Sequence, residues 1–574
     1  MLEPAVALAE LERRAAALPP DATLGDVRDL LIDAGVVEAG VGDALLKDAD
    51  GPEPAVDAIR AATRGAGRWL VARWTNDADA AGAAAATLAT AVARARALPL
   101  PTAVEVTDPE GYAYWGLYPE SYIRAADLAR ERHGITSAVC IGVRSIGTGL
   151  SAVVEAALTA AGVEVWSTSV RPQGHPYDRA VRLAPPLAAR LRELRDRHAL
   201  VVDEGPGLSG SSFAAVAHAL SALGFPDHRV VLLPSWSTDG TTLRSQAARA
   251  AWRRHPQVVV TFEETWLDGD RLSVGPAALL EDVSAGIWRE RLLPRHDAVP
   301  AAHPQHERRK YLAWRAGECG HAVHLAKFVG LGARGRRAEA RALEMAADGF
   351  GPEGPVLRDG FLCYPLLPGL PVAQAPADPA LIAHVARYLA WIATASPAEP
   401  APLDALRHMT LHNAEEALGT GAARRLRARL PSLEALGAGR FAWLDGRHLP
   451  QEWLRSTAGF RKVDATDHGD DDFFPGPADI AWDVAAAALE LAPDLEARHA
   501  LVARYRALSG DRDIGRRVPA WAAAYLAWRI GYTTLAAETL GASPDGARFA
   551  RERERYVALL RAELADAGRR RWAA

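Results

Sequence analysis

ALVVDEGPGLSGSS, residues 199–212, carries the fold of the first half of this chain. An apolar strand runs into an acidic pair, Asp203 and Glu204, then a loop of glycine and serine, then a helix. Small loop residues let backbone N–H groups approach a phosphate, and a helix N-terminus places partial positive charge behind it. Ser209, Ser211 and Ser212 add hydroxyl donors, while Asp203 and Glu204 suit sugar hydroxyls or water on a Mg2+ ion.

Literally read, Gly205 to Gly210 satisfies the dinucleotide fingerprint G-x-G-x-x-G. The acidic pair ahead of the glycines would repel a pyrophosphate there, and the next strand, RVVLLPSW, ends without an acidic residue for a ribose. A phosphate-binding P-loop is excluded because no lysine follows the last glycine. A plain strand–turn–helix joint without ligand stays open.

Working outward, TSAVCIGV (136–143), VEVWSTSV (163–170), RVVLLP (229–234) and VVVTFE (258–263) read as further strands. Between them lie SAVVEAALTAAG and SFAAVAHALSALG, helical segments closed by glycine. Strand–helix alternation predicts an α/β domain with a parallel sheet over 101–291. Residues 1–100 read as a helical N-terminal segment, 292–309 as a Pro- and His-rich linker, and 310–574 as a second domain.

The 199–212 segment resembles the phosphoribosyl-diphosphate motif of type I phosphoribosyltransferases, with a loop one residue longer than theirs. The resemblance spans about 105–270. It implies that Asp203 and Glu204 hold the ribose hydroxyls and that Gly207, Ser209, Gly210, Ser211 and Ser212 hold the 5′-phosphate. CIGVRSIGTGL (140–150) follows the family's order and implies pyrophosphate contacts from Arg144, Ser145, Gly147 and Thr148. STSVRPQGHPYDRAVRL (167–183) resembles the mobile loop over the leaving diphosphate, with Arg171, His175 and Arg179 as catalytic cations. The implied reaction is Mg2+-dependent phosphoribosyl transfer from phosphoribosyl diphosphate to a small-molecule acceptor. Trp236 either stacks on that acceptor or, as is commoner for such a residue, is an ordinary core aromatic.

Residues 310–540 resemble the aminoglycoside-phosphotransferase and protein-kinase-like fold, an α+β architecture. HLAKFVGLG (324–332) places Lys327 where the phosphate-binding lysine stands, with Glu339 or Glu344 to pair with it. FLCYPLLPG (361–369) resembles the hinge strand, FRKVDATDHG places Asp464 at the metal-binding aspartate, and PADIAWDVA (477–485) resembles the helix that follows. The catalytic loop departs: LDGRHLPQEWL (444–454) puts Arg447 at the catalytic aspartate and Glu452 at the metal-binding asparagine. Either Asp445 substitutes from a shifted register, or this domain binds a ligand without phosphorylating anything. ATP-dependent phosphotransfer through Lys327 and Asp464 is therefore one alternative. Nucleotide binding without turnover, as in a regulatory protein, is another.

The acidic loop with Asp467, His468, Asp470, Asp471 and Asp472 reads equally as a cation site or a solvated run, and Cys319, His321 and His324 lack a fourth ligand for a soft metal. The chain has 574 residues, 49% hydrophobic and 24% charged, with net charge −5, which offers no global footprint for nucleic acid. Three cysteines, Cys140, Cys319 and Cys363, are too few for a disulfide framework and fit a reducing cytoplasm. The N-terminus lacks the pattern of a secretory signal, and no apolar run is long enough to span a membrane. Oligomeric state is not legible.

Overall fold

The computed structural model describes the chain except residues 237, 269–270, 273–278, 294–298, 315–322, 373–377, 400–402, 431–438, 458, 468–475, 493, 566–571 and 573–574. Two compact units are present: 1–273 with 330–335, and 274–329 with 336–574.

The first unit opens with four helices, α1 (Pro4–Ala17), α2 (Leu24–Leu45), α3 (Pro54–Trp74) and α4 (Ala78–Arg96). Thr23 and Asp77 cap α2 and α4 by accepting from Asp26 N and Ala80 N. Then follow α5 (Pro119–His133), β1 (Ser137–Val143), α6 (Gly147–Ala160), β2 (Glu164–Val170), the hairpin β3 (Gln173–His175) and β4 (Asp178–Ala180), α7 (Pro185–Glu193), β5 (His198–Val202), α8 (Ser211–Ala222), β6 (Val230–Leu233) and α9 (Gln246–Arg254). The sheet runs β2-β1-β5-β6 and is wholly parallel. β1, β5 and β6 are buried apolar runs, as strands covered on both faces require, whereas the edge strand β2 (EVWSTSV) is polar and mostly half-buried.

The amino-terminal helices pack directly onto this α/β layer. Gly67 of α3 sits against Ala152 of α6, where a Cβ would meet the Ala152 carbonyl at 2.9 Å. Arg60 donates to Thr148 O and Ser151 Oγ at 2.8 and 3.0 Å.

The expected strand 258–263 does not form. Val258 N donates to Leu232 O at 2.9 Å in an isolated bridge, and the chain then turns into a short π-helical segment, Glu263–Leu267. Thr261 and Glu264 cause this: Thr261 N donates to Glu264 Oε2 at 2.7 Å and Glu264 N to Thr261 Oγ1 at 3.2 Å, a capping box.

In the second unit, β7 (Leu279–Asp282), α10 (Trp288–Leu292), β8 (Lys310–Trp314), β9 (His324–Phe328), α11 (Gly332–Ala347), β10 (Val356–Arg358) and β11 (Phe361–Pro365) come first, the start of α11 lying in the 330–335 stretch. Their sheet is antiparallel, in the order β10-β11-β9-β8-β7. Next are β12 (Leu370–Pro371), α12 (Pro379–Ala395), α13 (Asp404–Leu418), α14 (Thr420–Arg429), β13 (Phe441–Ala442), β14 (Trp453–Ser456), β15 (Gly459–Lys462), β16 (Ala478–Asp479), α15 (Ala481–Leu491), α16 (Leu495–Ser509), α17 (Ile514–Leu540) and α18 (Pro544–Leu564). The core gathers around Trp482, Trp521, Tyr525 and Tyr388, all buried. No described helix is long and apolar enough to cross a membrane.

Candidate functional site

In the first unit, strand order reverses between β1 and β5, because the chain goes from β1 to β2 on one side and to β5 on the other. Ligands of open parallel sheets bind in the crevice beyond the carboxyl ends of such strands. The two loops that leave there are 144–147 and 203–210, those singled out by their sequence.

After β5, Asp203 Oδ1 accepts from Glu204 N at 2.9 Å, and Glu204 Oε2 accepts from Gly111 N at 3.1 Å. Gly111 is needed for that approach, since a Cβ would lie 3.0 Å from the Glu204 carboxylate. Tyr122 donates its hydroxyl to Asp203 O at 2.6 Å. Asp203 is half-buried, and burial pushes its carboxyl up to about 7 against the opposing pull of Glu204 N, Arg171 and Arg179.

The loop then turns through Gly207 and Gly210, both with positive φ (56° and 66°), and α8 starts at Ser211. Ser211 Oγ donates to Pro176 O at 2.6 Å and shares a 3.0 Å contact with Ser209 Oγ. Arg179 donates to Ser212 Oγ at 2.7 Å. These bonds lay the β3–β4 hairpin over the serine loop, bringing together the phosphate and mobile-loop segments. His175 is exposed at the hairpin tip, its Nδ1 accepting from Tyr177 N at 3.3 Å.

The pyrophosphate candidates divide. Ser145 is half-exposed, but Arg144 and Thr148 are buried. Arg144 donates to Asp43 at 2.9 Å and to Asp50 at 2.5 Å, and Thr148 donates to Gly35 O at 3.1 Å. Their polar groups thus join the helical layer to the sheet. Gly147 packs so closely on β5 that a Cβ would lie 2.5 Å from Val202 O. Arg171 pairs with Asp43 and donates to Arg144 O. Trp236 is 43% exposed and rests against Gly205, so it is no core aromatic.

In the second unit, Lys327 on β9 lines a small pocket with Met345, Leu362, Tyr364, Lys462 and Asp464, among others. Lys327 pairs with Asp464 and, at 2.8 Å, with Asp467. Burial works against its charge, yet the two carboxylates outweigh it and hold Lys327 above the ordinary lysine range. The expected Glu339 partner is occupied elsewhere, accepting from Leu357 N at 2.7 Å, and Glu344 is exposed. Asp467 takes that place. Asp464 retains partial exposure at the pocket wall, which fits Mg2+, an ion held by one or two carboxylates alongside substrate phosphates.

Beside the pocket lies the 445–452 loop. Asp483 on α15 accepts from Asp445 N and Gly446 N, both at 2.9 Å, and fixes the turn. Asp445 is fully buried, accepting from Tyr388 at 3.0 Å with Lys462 at 3.3 Å. Asp445, the shifted-register candidate for the base, thus faces Tyr388 and Lys462 and is not among the residues that line the pocket. Lys462 also donates to Glu452 at 2.9 Å and to Asp464 O. Arg447 lies 3.5 Å from Glu452. Lys462 and Asp483 escaped sequence reasoning, and Asp467 was read only as part of an acidic cation loop, although two lysines flanking a carboxylate cluster were a usable signal.

Of the other metal candidates, Cys319, His321, His468, Asp470, Asp471 and Asp472 lie outside the described residues. Among those described, no group of three or more His, Cys, Asp or Glu is arranged to hold a metal.

No protein-family profile and no curated protein matches the chain. Solved structures similar to it include a choline/ethanolamine kinase family protein from Mesorhizobium loti, 15% identical, covering 53% of this chain and 96% of that one, with a TM-score of 0.36. A choline kinase from Streptococcus pneumoniae is 18% identical over 44% and 89%, with a TM-score of 0.30. An aminoglycoside phosphotransferase from Alicyclobacillus acidocaldarius is 16% identical over 44% and 90%, also at 0.30. Similarity at this level leaves function to the geometry of the residues themselves. Nothing comparable supports a phosphoribosyltransferase.

Proposed function

We propose that the second unit is an ATP-dependent small-molecule phosphotransferase. The observation that carries this is the pocket in which Lys327 and Asp464 meet. Transfer of a phosphoryl group passes through a loose transition state, so catalysis is mostly positioning and charge stabilisation. Mg2+ held by Asp464 would neutralise charge on the departing phosphates. Lys327 stands paired with Asp464 before nucleotide arrives. An incoming phosphate would take over the ammonium and leave the carboxylate of Asp464 to hold Mg2+, while Asp467 would keep Lys327 oriented and charged.

Calorimetric titration of the full chain with Mg2+ and a non-hydrolysable ATP analogue tests this. Lys327→Met is expected to weaken binding at least about tenfold, the equivalent of ~1.4 kcal/mol. Unchanged affinity, or no binding by the native chain, sinks the reading. Binding with no transfer to any acceptor would make the unit a nucleotide sensor.

A second reading concerns the first unit, favoured by the strand-order reversal beside the 203–210 loop and by the β3–β4 hairpin that lies over it. There the proposed ligand is phosphoribosyl diphosphate, with Asp203 and Glu204 on the ribose hydroxyls and Ser209, Ser212 and the amino end of α8 on the 5′-phosphate. Arg171, His175 and Arg179 would face the leaving diphosphate, and Trp236 the acceptor. Release of diphosphate, lost in Asp203→Asn but kept in Lys327→Met, is the expected result. Release that survives Asp203→Asn counts against it.

A further inference from the structure

We infer that Asp43 is an internal competitor at the first unit's anion site: its carboxylate occupies the two donors of Arg171 that a phosphate group takes, and a bound diphosphate displaces it. This rests on the phosphoribosyl-diphosphate reading above and adds the residue that opposes the ligand.

Three parallel strands end side by side, since Val143 of β1 pairs with Val170 of β2, and Gly142 of β1 with Val202 of β5. Arg144, Arg171 and Asp203 are the residues that follow these three strands. They therefore stand along one edge, at the carboxyl ends where ligands of open parallel sheets bind. Burial raises the carboxyl of Asp203, and Arg171 is among the groups that pull it back down, so its charge is felt at the acidic pair.

Asp43, in the last turn of α2, grips Arg171 by two neighbouring donors. Its Oδ1 accepts from Nε at 3.0 Å and its Oδ2 from Nη2. A guanidinium holds a phosphate by the same kind of fork, so carboxylate and ligand compete for the same N–H groups. The two side chains keep about a third of their surface in solvent, 31% for Arg171 and 33% for Asp43, and a solute can reach them. Arg144 and Asp50 form the contrasting pair. Both are buried, and such a pair is costly to open from one side.

Arg171 does not depend on Asp43 for its position. Its Nη1 donates to Arg144 O at 2.5 Å, and its backbone N donates to Asp50 Oδ2 at 2.8 Å. Asp43 also accepts from Arg144 Nε at 2.9 Å, a bond it can keep while giving up Arg171. As an anchor for Arg171 the carboxylate is redundant. As an occupant of the fork it is not.

Calorimetric titration of the full chain with inorganic diphosphate and Mg2+ tests this, because the two roles predict opposite signs. Asp43→Asn leaves a neutral amide on the fork and is expected to bind diphosphate at least about threefold tighter than the native chain, the scale of a partly exposed ion pair. Asp43→Ser should shift affinity in the same direction, and serves if the amide variant does not fold. Arg171→Gln is expected to weaken binding at least about tenfold, as loss of a charged fork should. Affinity in the Asp43 variants equal to or below the native value would make Asp43 an anchor and overturn the inference, leaving the phosphoribosyl-diphosphate reading in place. Binding indifferent to Arg171→Gln overturns it as well, since the anion then sits elsewhere. If neither the native chain nor the Asp43 variants bind diphosphate, the inference and the reading beneath it fall together.

Discussion

Asp464 and Asp203 each follow a strand and open a loop, yet their surroundings are opposite. Asp464 meets a lysine directly, within a group of carboxylates and cations that balance one another. Asp203 has no salt bridge among the described residues, and burial lifts it to about 7. The difference shows that an acidic residue after a strand does not by itself define a charged site. What faces it decides whether it is a fixed anion or a carboxyl poised near neutrality. In the second unit the carboxylates hold Lys327 and Lys462 above the ordinary lysine range against burial, whereas at Asp203 burial prevails and carries the carboxyl toward neutrality.

Lys462→Met should break this comparison most severely. The side chain is fully buried between Asp445 and Glu452, and its removal leaves carboxylates without their cation. Breaking a buried pair from one side costs about 3–5 kcal/mol. Amide hydrogen exchange in α12 and α15 should report it, and a loss below about 1 kcal/mol would mean that the cluster is not tightly balanced.

Asp203→Asn should act in the opposite sense. A raised carboxyl binds its proton in the folded chain at pH values where the unfolded chain has lost it. The contribution of Asp203 to stability is therefore greatest below about pH 4, declines as pH rises toward 7, and stays low beyond. The asparagine variant should lack that decline and gain on the order of 3 kcal/mol at pH 8, read from exchange protection of β5 and β6. Lys462, held above its ordinary range by Asp445 and Glu452 despite burial, contributes below the ordinary lysine range and loses that contribution only as pH rises through its own higher value. A flat native profile between pH 4 and 7 would remove the contrast.

Tyr122→Phe is a smaller probe. It removes the hydroxyl that donates to Asp203 O at 2.6 Å, and a single neutral hydrogen bond to a carbonyl is worth about 1 kcal/mol. The same exchange measurement on β5 reads the loss, and protection equal to the native chain would show that the bond does not hold the acidic pair in place.

Local order was legible where one segment carries its own reason. The apolar runs of β1, β5 and β6 and the Gly-rich turn before α8 follow from neighbouring residues alone. VVVTFE was misread because three valines outweighed Thr261 and Glu264, whose reciprocal bonds start a turn three residues later. Lys327 and Asp464 were singled out by the resemblance to the kinase-like fold, and the two do pair, but Asp467 in place of Glu339 was not foreseen. Whether an ion pair forms depends on which side chains the tertiary fold brings opposite, and Glu339 is drawn off by a backbone N–H. Arg144 shows the same limit: next to a glycine loop it read as a phosphate ligand, while Asp43 and Asp50, about a hundred residues earlier, claim it.

The smallest expected effect tests the hairpin. Arg179 is exposed, and its bond to Ser212 is the kind of surface contact that contributes less than about 0.5 kcal/mol. Arg179→Ala should therefore leave global stability nearly unchanged. Besides the bond of Arg179, the described hydrogen bond from the serine loop to the hairpin is that of Ser211 to Pro176 O, so local opening of the hairpin should become more frequent. Faster amide exchange confined to residues 173–180, with β5 and β6 unaffected, is the expected pattern. If exchange there is unaltered, the hairpin is held by its own pairing and its packing on α8, and Arg179 has no part in holding it over the serine loop.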